Sequence, residues 1–132
     1  MPFRGDSAKF ESGDGRNIAL SDPLIFDSLE RGATTTVPAG FQSDGASTPR
    51  LVWQIVPPFG AYWRGAVLHD WLYRETYLPR EFCDGVFLEA MVSLGVSPVE
   101  RTAIYDALRL FGGWAFQLDR LELEKRESGN RT

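Results

Sequence analysis

The hydrophobic pattern divides the chain into a strand-rich first third and a helical remainder. Over residues 1–47, short apolar and β-branched runs alternate with turn residues, which predicts strands near 18–20, 24–26, 34–37 and 40–42. Beyond this region, apolar positions recur at the spacing of helices. The pattern therefore predicts an α+β fold, in which a small N-terminal antiparallel β-sheet is followed by a bundle of about four helices.

Prolines, glycines and capping residues set the expected limits of the helices. Thr48 and Pro49 can start a short helix, and the tandem prolines Pro57 and Pro58 must end it. Longer helices are predicted over 62–76, 79–94, 98–111 and 114–123.

The last two helices carry amphipathic stripes. The first of them starts at a capping box, Ser97-Pro98-Val99-Glu100, and its apolar stripe is Ala103, Ile104, Ala107, Leu108 and Phe111. In the other helix, the residues expected on the buried side are Trp114, Leu118 and Leu121. The charged residues that follow predict a polar tail over 124–132.

The composition limits the class of protein. With 132 residues, the chain is long enough for a single domain over 1–132. A net charge of -4, a pI near 5.0 and scattered arginines argue against a nucleic-acid-binding surface. The single cysteine, Cys83, is expected to be a core thiol and excludes an intrachain disulfide. No signal peptide and no apolar run long enough for a membrane span is recognisable.

His69 is the only histidine, and the candidate chemistry centres on it. His69 and Tyr73 are four residues apart, so a helix places them on one face. If the next helix folds back antiparallel, Asp84 lies at the height of His69. A histidine that meets one carboxylate while Asp70 offers a second can be a general base or part of a metal site. The same group can also be a buried polar network that joins two helices.

Five residues around His69 and Asp84 complete this candidate site, and each has a structural alternative. Asp70 and Asp44 are candidate metal ligands; the alternatives are an Asp70 bonded to Arg50 or to backbone amides, and an Asp44 in an Asx turn. Arg50, Arg80 and Tyr73 can bind an anion or pair with the acids of the site. We expect these side chains to share one pocket with the lone histidine.

Four motifs appear in order over roughly residues 35–112. They are Val37–Arg50 (VPAGFQSDGASTPR), Pro57–Gly60 (PPFG), His69–Tyr73 (HDWLY), and Arg80 with Asp84. In these motifs the chain resembles a domain-of-unknown-function family encoded by tailed bacteriophages and prophages, although Pro79 stands where relatives often carry serine. The resemblance implies a phage accessory protein that is part of the tail or particle. It would be found in the particle or in the host cytoplasm during assembly, with other phage structural proteins as partners.

A second resemblance concerns the chemistry. The pattern His69-Asp70-x-x-Tyr73, followed by Cys83-Asp84, is similar to the signature of secretory phospholipases. It implies that His69 activates water, that Asp70 binds a divalent cation such as calcium, and that Asp84 orients the histidine. The disulfides of those enzymes cannot form here. Two hypotheses follow: a virion component with a structural polar cluster, or a metal-assisted hydrolase acting on lipid or peptidoglycan of the host envelope.

Overall fold

A computed structural model describes residues 3–4, 10–11, 18–43 and 63–130. Six short strands come first, and they form two antiparallel three-stranded sheets with the orders β1-β4-β5 and β2-β3-β6. The α+β fold is confirmed, and the N-terminal strands are divided between two small sheets. The strands are β1 (Phe3–Arg4), β2 (Phe10–Glu11), β3 (Ile18–Leu20), β4 (Leu24–Ser28), β5 (Ala33–Val37) and β6 (Gln42–Ser43).

The β4–β5 hairpin forms the best-defined part of the sheets. Its register pairs Leu24 with Val37 and Phe26 with Thr35, and these side chains are buried on one face. The connecting turn includes Gly32 at a φ of 60°, a conformation that glycine adopts without strain. The predicted strands at 24–26 and 34–37 are thereby confirmed, each with extra residues at the hairpin end.

Four helices follow the strands in the described part of the chain: α1 (Trp63–Glu75), α2 (Arg80–Ser93), α3 (Pro98–Phe111) and α4 (Gly113–Asn130). Ser97 caps α3, since its hydroxyl accepts a hydrogen bond from the amide of Glu100 at 3.3 Å. Gly95, at a φ of 77°, follows the end of α2. The predicted short helix over 48–55 lies outside the described residues.

Two apolar clusters enclose the helices α1 and α2. One lies between the sheets and these helices and includes Phe26, Val37, Leu72 and Val86; the second lies between α2 and α3. The second cluster is built on Phe87, Met91, Ile104 and Leu108. Burial at this scale is the main stabilising term of a small domain. Where α1 and α2 face each other, polar residues are buried inside the protein: His69 on α1 and Asp84 on α2.

The orientation predicted for the last helix is wrong. Trp114, Leu118 and Leu121 are exposed, and so is Phe111 of α3. The side of α4 that faces α1 instead carries Phe116, Arg120 and Leu123, and the helix continues to Asn130.

The physical reason lies in Arg120. Its guanidinium donates to the carbonyls of Leu72, Tyr73 and Leu78 at 3.3, 3.0 and 2.6 Å. The carbonyls at the end of a helix have no partner within that helix, so a cation there is favourable. Apolar periodicity alone does not detect such an arginine. Among the described helices, none is both long and apolar enough to cross a bilayer.

Candidate functional site

The carboxylate of Asp84 is the centre of a buried polar network between three helices. Its Oδ1 accepts hydrogen bonds from Nε2 of His69 at 2.8 Å and from the hydroxyl of Tyr73 at 2.5 Å. Its Oδ2 accepts from Nη1 of Arg109 at 2.6 Å and lies 3.6 Å from Nε of Arg80. Both His69 and Asp84 are fully buried. The network therefore joins α1, α2 and α3 without solvent contact at its centre.

Local sequence explains why these side chains meet. His69 and Tyr73 are one helical turn apart on α1, and Arg80 and Asp84 are one turn apart on α2. The four-residue connection between the helices lets α2 fold back along α1, as the sequence predicted. The ring of His69 lies 4.1 Å from that of Tyr73 and 5.0 Å from that of Phe87, measured between centroids. Aromatic packing thus fixes the imidazole in place.

The donors around Asp84 keep it ionised. Burial alone would raise the pKa of Asp84, but hydrogen bonds from His69, Tyr73 and Arg109 outweigh it and hold the pKa below its usual value. Burial, together with the same carboxylate, raises the pKa of Tyr73, so that its phenol stays a hydrogen-bond donor. Asp84 also raises the pKa of Arg109.

The two nitrogens of His69 are not equivalent. When the ring is neutral, its hydrogen belongs on Nε2, which faces the Asp84 carboxylate, and the lone pair belongs to Nδ1. Among the described residues, Nδ1 has no hydrogen-bond partner although it is buried. An unpartnered buried nitrogen with a lone pair is unusual in purely structural networks.

Asp70 lies in separate surroundings. Its Oδ2 accepts from the hydroxyl of Ser43 at 2.7 Å and lies 3.4 Å from Nη1 of Arg74. A cation at Asp70 would meet the positive charge of Arg74, and no group of three histidine, cysteine, aspartate or glutamate side chains in the described ranges could hold a metal. The metal role predicted for Asp70 and Asp44 stays a prediction, because Asp44 lies outside the described residues.

The remaining candidates occupy different places. Asp44 and Arg50 lie outside the described residues. Arg80 also donates to the carbonyls of Leu108 and Arg109 at 2.7 and 2.9 Å, so it caps the end of α3. Cys83 is buried, and burial raises the pKa of its thiol to about 12, which suits a core residue and not a nucleophile.

Arg109 is the residue of the site that the sequence did not reveal. It lies next to Leu108, at the edge of the apolar stripe of α3. A buried acid such as Asp84 needs a cationic partner, and this requirement is the only signal in the sequence that points to Arg109. Which arginine meets the acid depends on how α3 crosses α2, and helix periodicity does not specify that crossing.

The fold and the site define an α+β protein in which a helical hairpin buries a histidine–aspartate pair. Residues 18–108 match the family described as "Protein of unknown function (DUF1353)", and the chain belongs to that family. The match includes His69, Tyr73 and Asp84 and ends one residue before Arg109; α4 follows it. Neither the curated proteins nor the solved structures include a match to this chain.

Proposed function

We propose that this protein is an accessory protein of tailed bacteriophages and that it carries a hydrolytic centre in which His69 is the general base. The first part of the proposal is supported by the resemblance of the motifs over residues 35–112 to those of a phage and prophage family. The second part depends on one observation: Asp84 binds Nε2 of the buried imidazole, and Nδ1 has no partner among the described residues.

The chemistry follows from this arrangement. A water bound at Nδ1 would give its proton to the imidazole while its oxygen attacks the carbonyl of an ester or amide. The resulting imidazolium is stabilised by the Asp84 carboxylate at 2.8 Å, and the proton then passes from Nδ1 to the leaving group. Tyr73 and Arg109 hold Asp84 in its ionised form.

The substrates proposed are those of the host envelope: phospholipid esters and the amide bonds of peptidoglycan. The experiment measures hydrolysis of phospholipid vesicles, purified peptidoglycan and a simple aryl ester by the wild type. The variants are His69→Gln, Asp84→Asn and a matched control, Asp27→Asn. Asp27 is also paired with an arginine, Arg4, but it lies on β4.

We expect the wild type to hydrolyse at least one substrate. His69→Gln should reduce the rate by about 10²–10⁴-fold, the usual contribution of a general base, and Asp84→Asn should also reduce it strongly. Asp27→Asn should leave the rate unchanged. Absence of hydrolysis by the folded wild type on all three substrates, or full activity of His69→Gln, would contradict the hydrolase.

A second candidate function is a virion component in which the network is structural. It is favoured by the complete burial of His69 and Asp84 and by the three helices that Asp84 joins. This function predicts that the protein is retained in purified phage particles, where it contacts other structural proteins, and that substitution of His69 changes stability alone. Mass spectrometry of purified particles, together with the activity assay, separates the two candidates.

A further inference from the structure

The outward side of α4 carries a continuous apolar stripe. Trp114, Leu118 and Leu121 are 74%, 50% and 54% exposed, and they lie four and three residues apart on one helical face. Leu110 and Phe111, at the end of α3, are exposed as well. Monomeric proteins rarely leave a contiguous patch of this kind in water, and such patches mark interaction sites.

The helix that carries the stripe is held firmly on the rest of the protein. Arg120 binds the carbonyls at the end of α1, and Arg126 donates to both carboxylate oxygens of Glu75 at 3.1 Å. Glu127 accepts from the hydroxyl of Tyr77 at 2.7 Å. These contacts prevent α4 from rotating about its axis. The apolar stripe on its outer side is therefore a fixed surface.

The polar residues beside the stripe indicate what covers it. The spacing of Trp114, Leu118, Leu121 and Lys125 is that of the a and d positions of a heptad repeat. The flanking positions are Gln117 and Glu124 on one side, and Ala115 and Glu122 on the other. The stripe thus has an aromatic residue at one end and a cation at the other.

We propose that a second copy of this chain covers the stripe, with the two α4 helices antiparallel about a two-fold axis. In that arrangement Leu118 packs against Leu121 of the second copy, and Trp114 lies against Lys125 of the second copy. The ammonium of a lysine is attracted to the face of an indole ring. A two-fold axis forms each of these contacts twice.

The charges favour this orientation over the parallel one. In the antiparallel pair, Gln117 faces Glu124 of the second copy, and Glu122 faces the small Ala115, so no two like charges meet along the sides. In a parallel pair, Lys125 would meet Lys125 of the second copy inside the seam, where like charges repel in poorly solvated surroundings. The antiparallel pair is therefore the self-complementary solution for this sequence.

Sedimentation or light scattering of the full chain over a range of concentrations tests the dimer. We expect a monomer–dimer equilibrium in the wild type and a dissociation constant at least tenfold higher in Leu118→Glu, because the substitution places an unpaired charge in the apolar seam of both copies. Val99→Glu is the matched control: Val99 is 81% exposed on α3, and its substitution should leave the equilibrium unchanged. Circular dichroism checks that each variant folds.

A wild type that stays monomeric at the highest soluble concentration would overturn the proposal and leave the stripe to a different partner. An unchanged equilibrium in folded Leu118→Glu would overturn it as well.

Cysteine cross-linking tests the orientation. Leu118→Cys and Leu121→Cys, mixed and oxidised, should form a disulfide-linked dimer in clear excess over either variant alone, since these positions face each other only in the antiparallel pair. The native Cys83 is buried, so the oxidised wild type serves as the blank. Efficient cross-linking of Leu118→Cys with itself would instead show a parallel pair and overturn the proposed orientation.

Discussion

Asp27 and Asp84 are bound by similar groups in opposite surroundings. Asp27, on β4, accepts two hydrogen bonds from Arg4 at 2.6 and 2.8 Å and one from Thr34 at 2.6 Å, and these bonds lower its pKa to about 2. Asp84 also accepts from an arginine and a hydroxyl, but it is fully buried. Water can replace the partners of Asp27 and cannot replace those of Asp84.

This difference decides what each acid contributes. An exposed ion pair gives little net stability, because its Coulomb energy is screened and its side chains lose entropy. A buried acid is costly unless all its donors are in place, and removal of one member leaves the others unsatisfied. The buried network therefore fixes how α1, α2 and α3 meet, whereas the surface pair of Arg4 and Asp27 only connects the neighbouring strands β1 and β4.

The largest effect is expected from removal of the buried acid. Asp84→Ala should lower the free energy of unfolding by about 3 kcal/mol, because His69, Tyr73 and Arg109 lose their common acceptor. Asp27→Ala should have a far smaller effect. Urea unfolding of both variants measures the difference, and equal losses would contradict the contrast between the two sites.

Acid should weaken the same network by a smaller amount. The pKa of Asp84 is lowered in the folded protein, so the folded state binds fewer protons than the unfolded one below about pH 4. Its stabilising contribution is complete above that pH and is lost as the pH falls through the lower, folded-state pKa. Asp84→Asn should therefore flatten this part of the stability profile, measured by urea unfolding at several pH values. A profile identical to that of the wild type would show that Asp84 does not contribute.

Removal of one donor should have the smallest effect. Tyr73→Phe keeps the buried ring but takes from Asp84 the hydroxyl at 2.5 Å, which should cost about 1–2 kcal/mol of unfolding free energy. The control is Tyr77→Phe, because the hydroxyl of Tyr77 bonds Glu127 at the surface. A loss in Tyr73→Phe no larger than that of the control would mean that the carboxylate finds a replacement donor.

The sequence was informative where a local rule applies. Helical spacing and a turn of known length bring His69 and Asp84 together, and the capping box at Ser97 starts α3 as expected. The sequence was uninformative where either of two faces of a helix could be the buried one. The last helix has two stripes, and the pattern of leucines favoured the wrong one, because Arg120 contributes to the buried side through hydrogen bonds to carbonyls and not through hydrophobicity.

Arg109 shows a second limit of prediction from the sequence. Its pairing with Asp84 depends on the crossing of α2 and α3, which follows from the packing of Phe87, Ile104 and Leu108. Side-chain packing of this kind involves residues distant in the chain and is not encoded in any local pattern. The role predicted for His69 stays a prediction, since geometry defines what its ring can do and not what it acts on.

The proton position on His69 tests the account most directly. As the only histidine, it gives a single imidazole signal set in nitrogen NMR of the labelled protein. We predict that the neutral ring carries its hydrogen on Nε2, with a bare Nδ1, and that Asp84→Asn weakens this preference. A neutral ring with its hydrogen on Nδ1 in the folded wild type would place a lone pair of Nε2 against the Asp84 carboxylate, and it would contradict both the described network and the proposed general base.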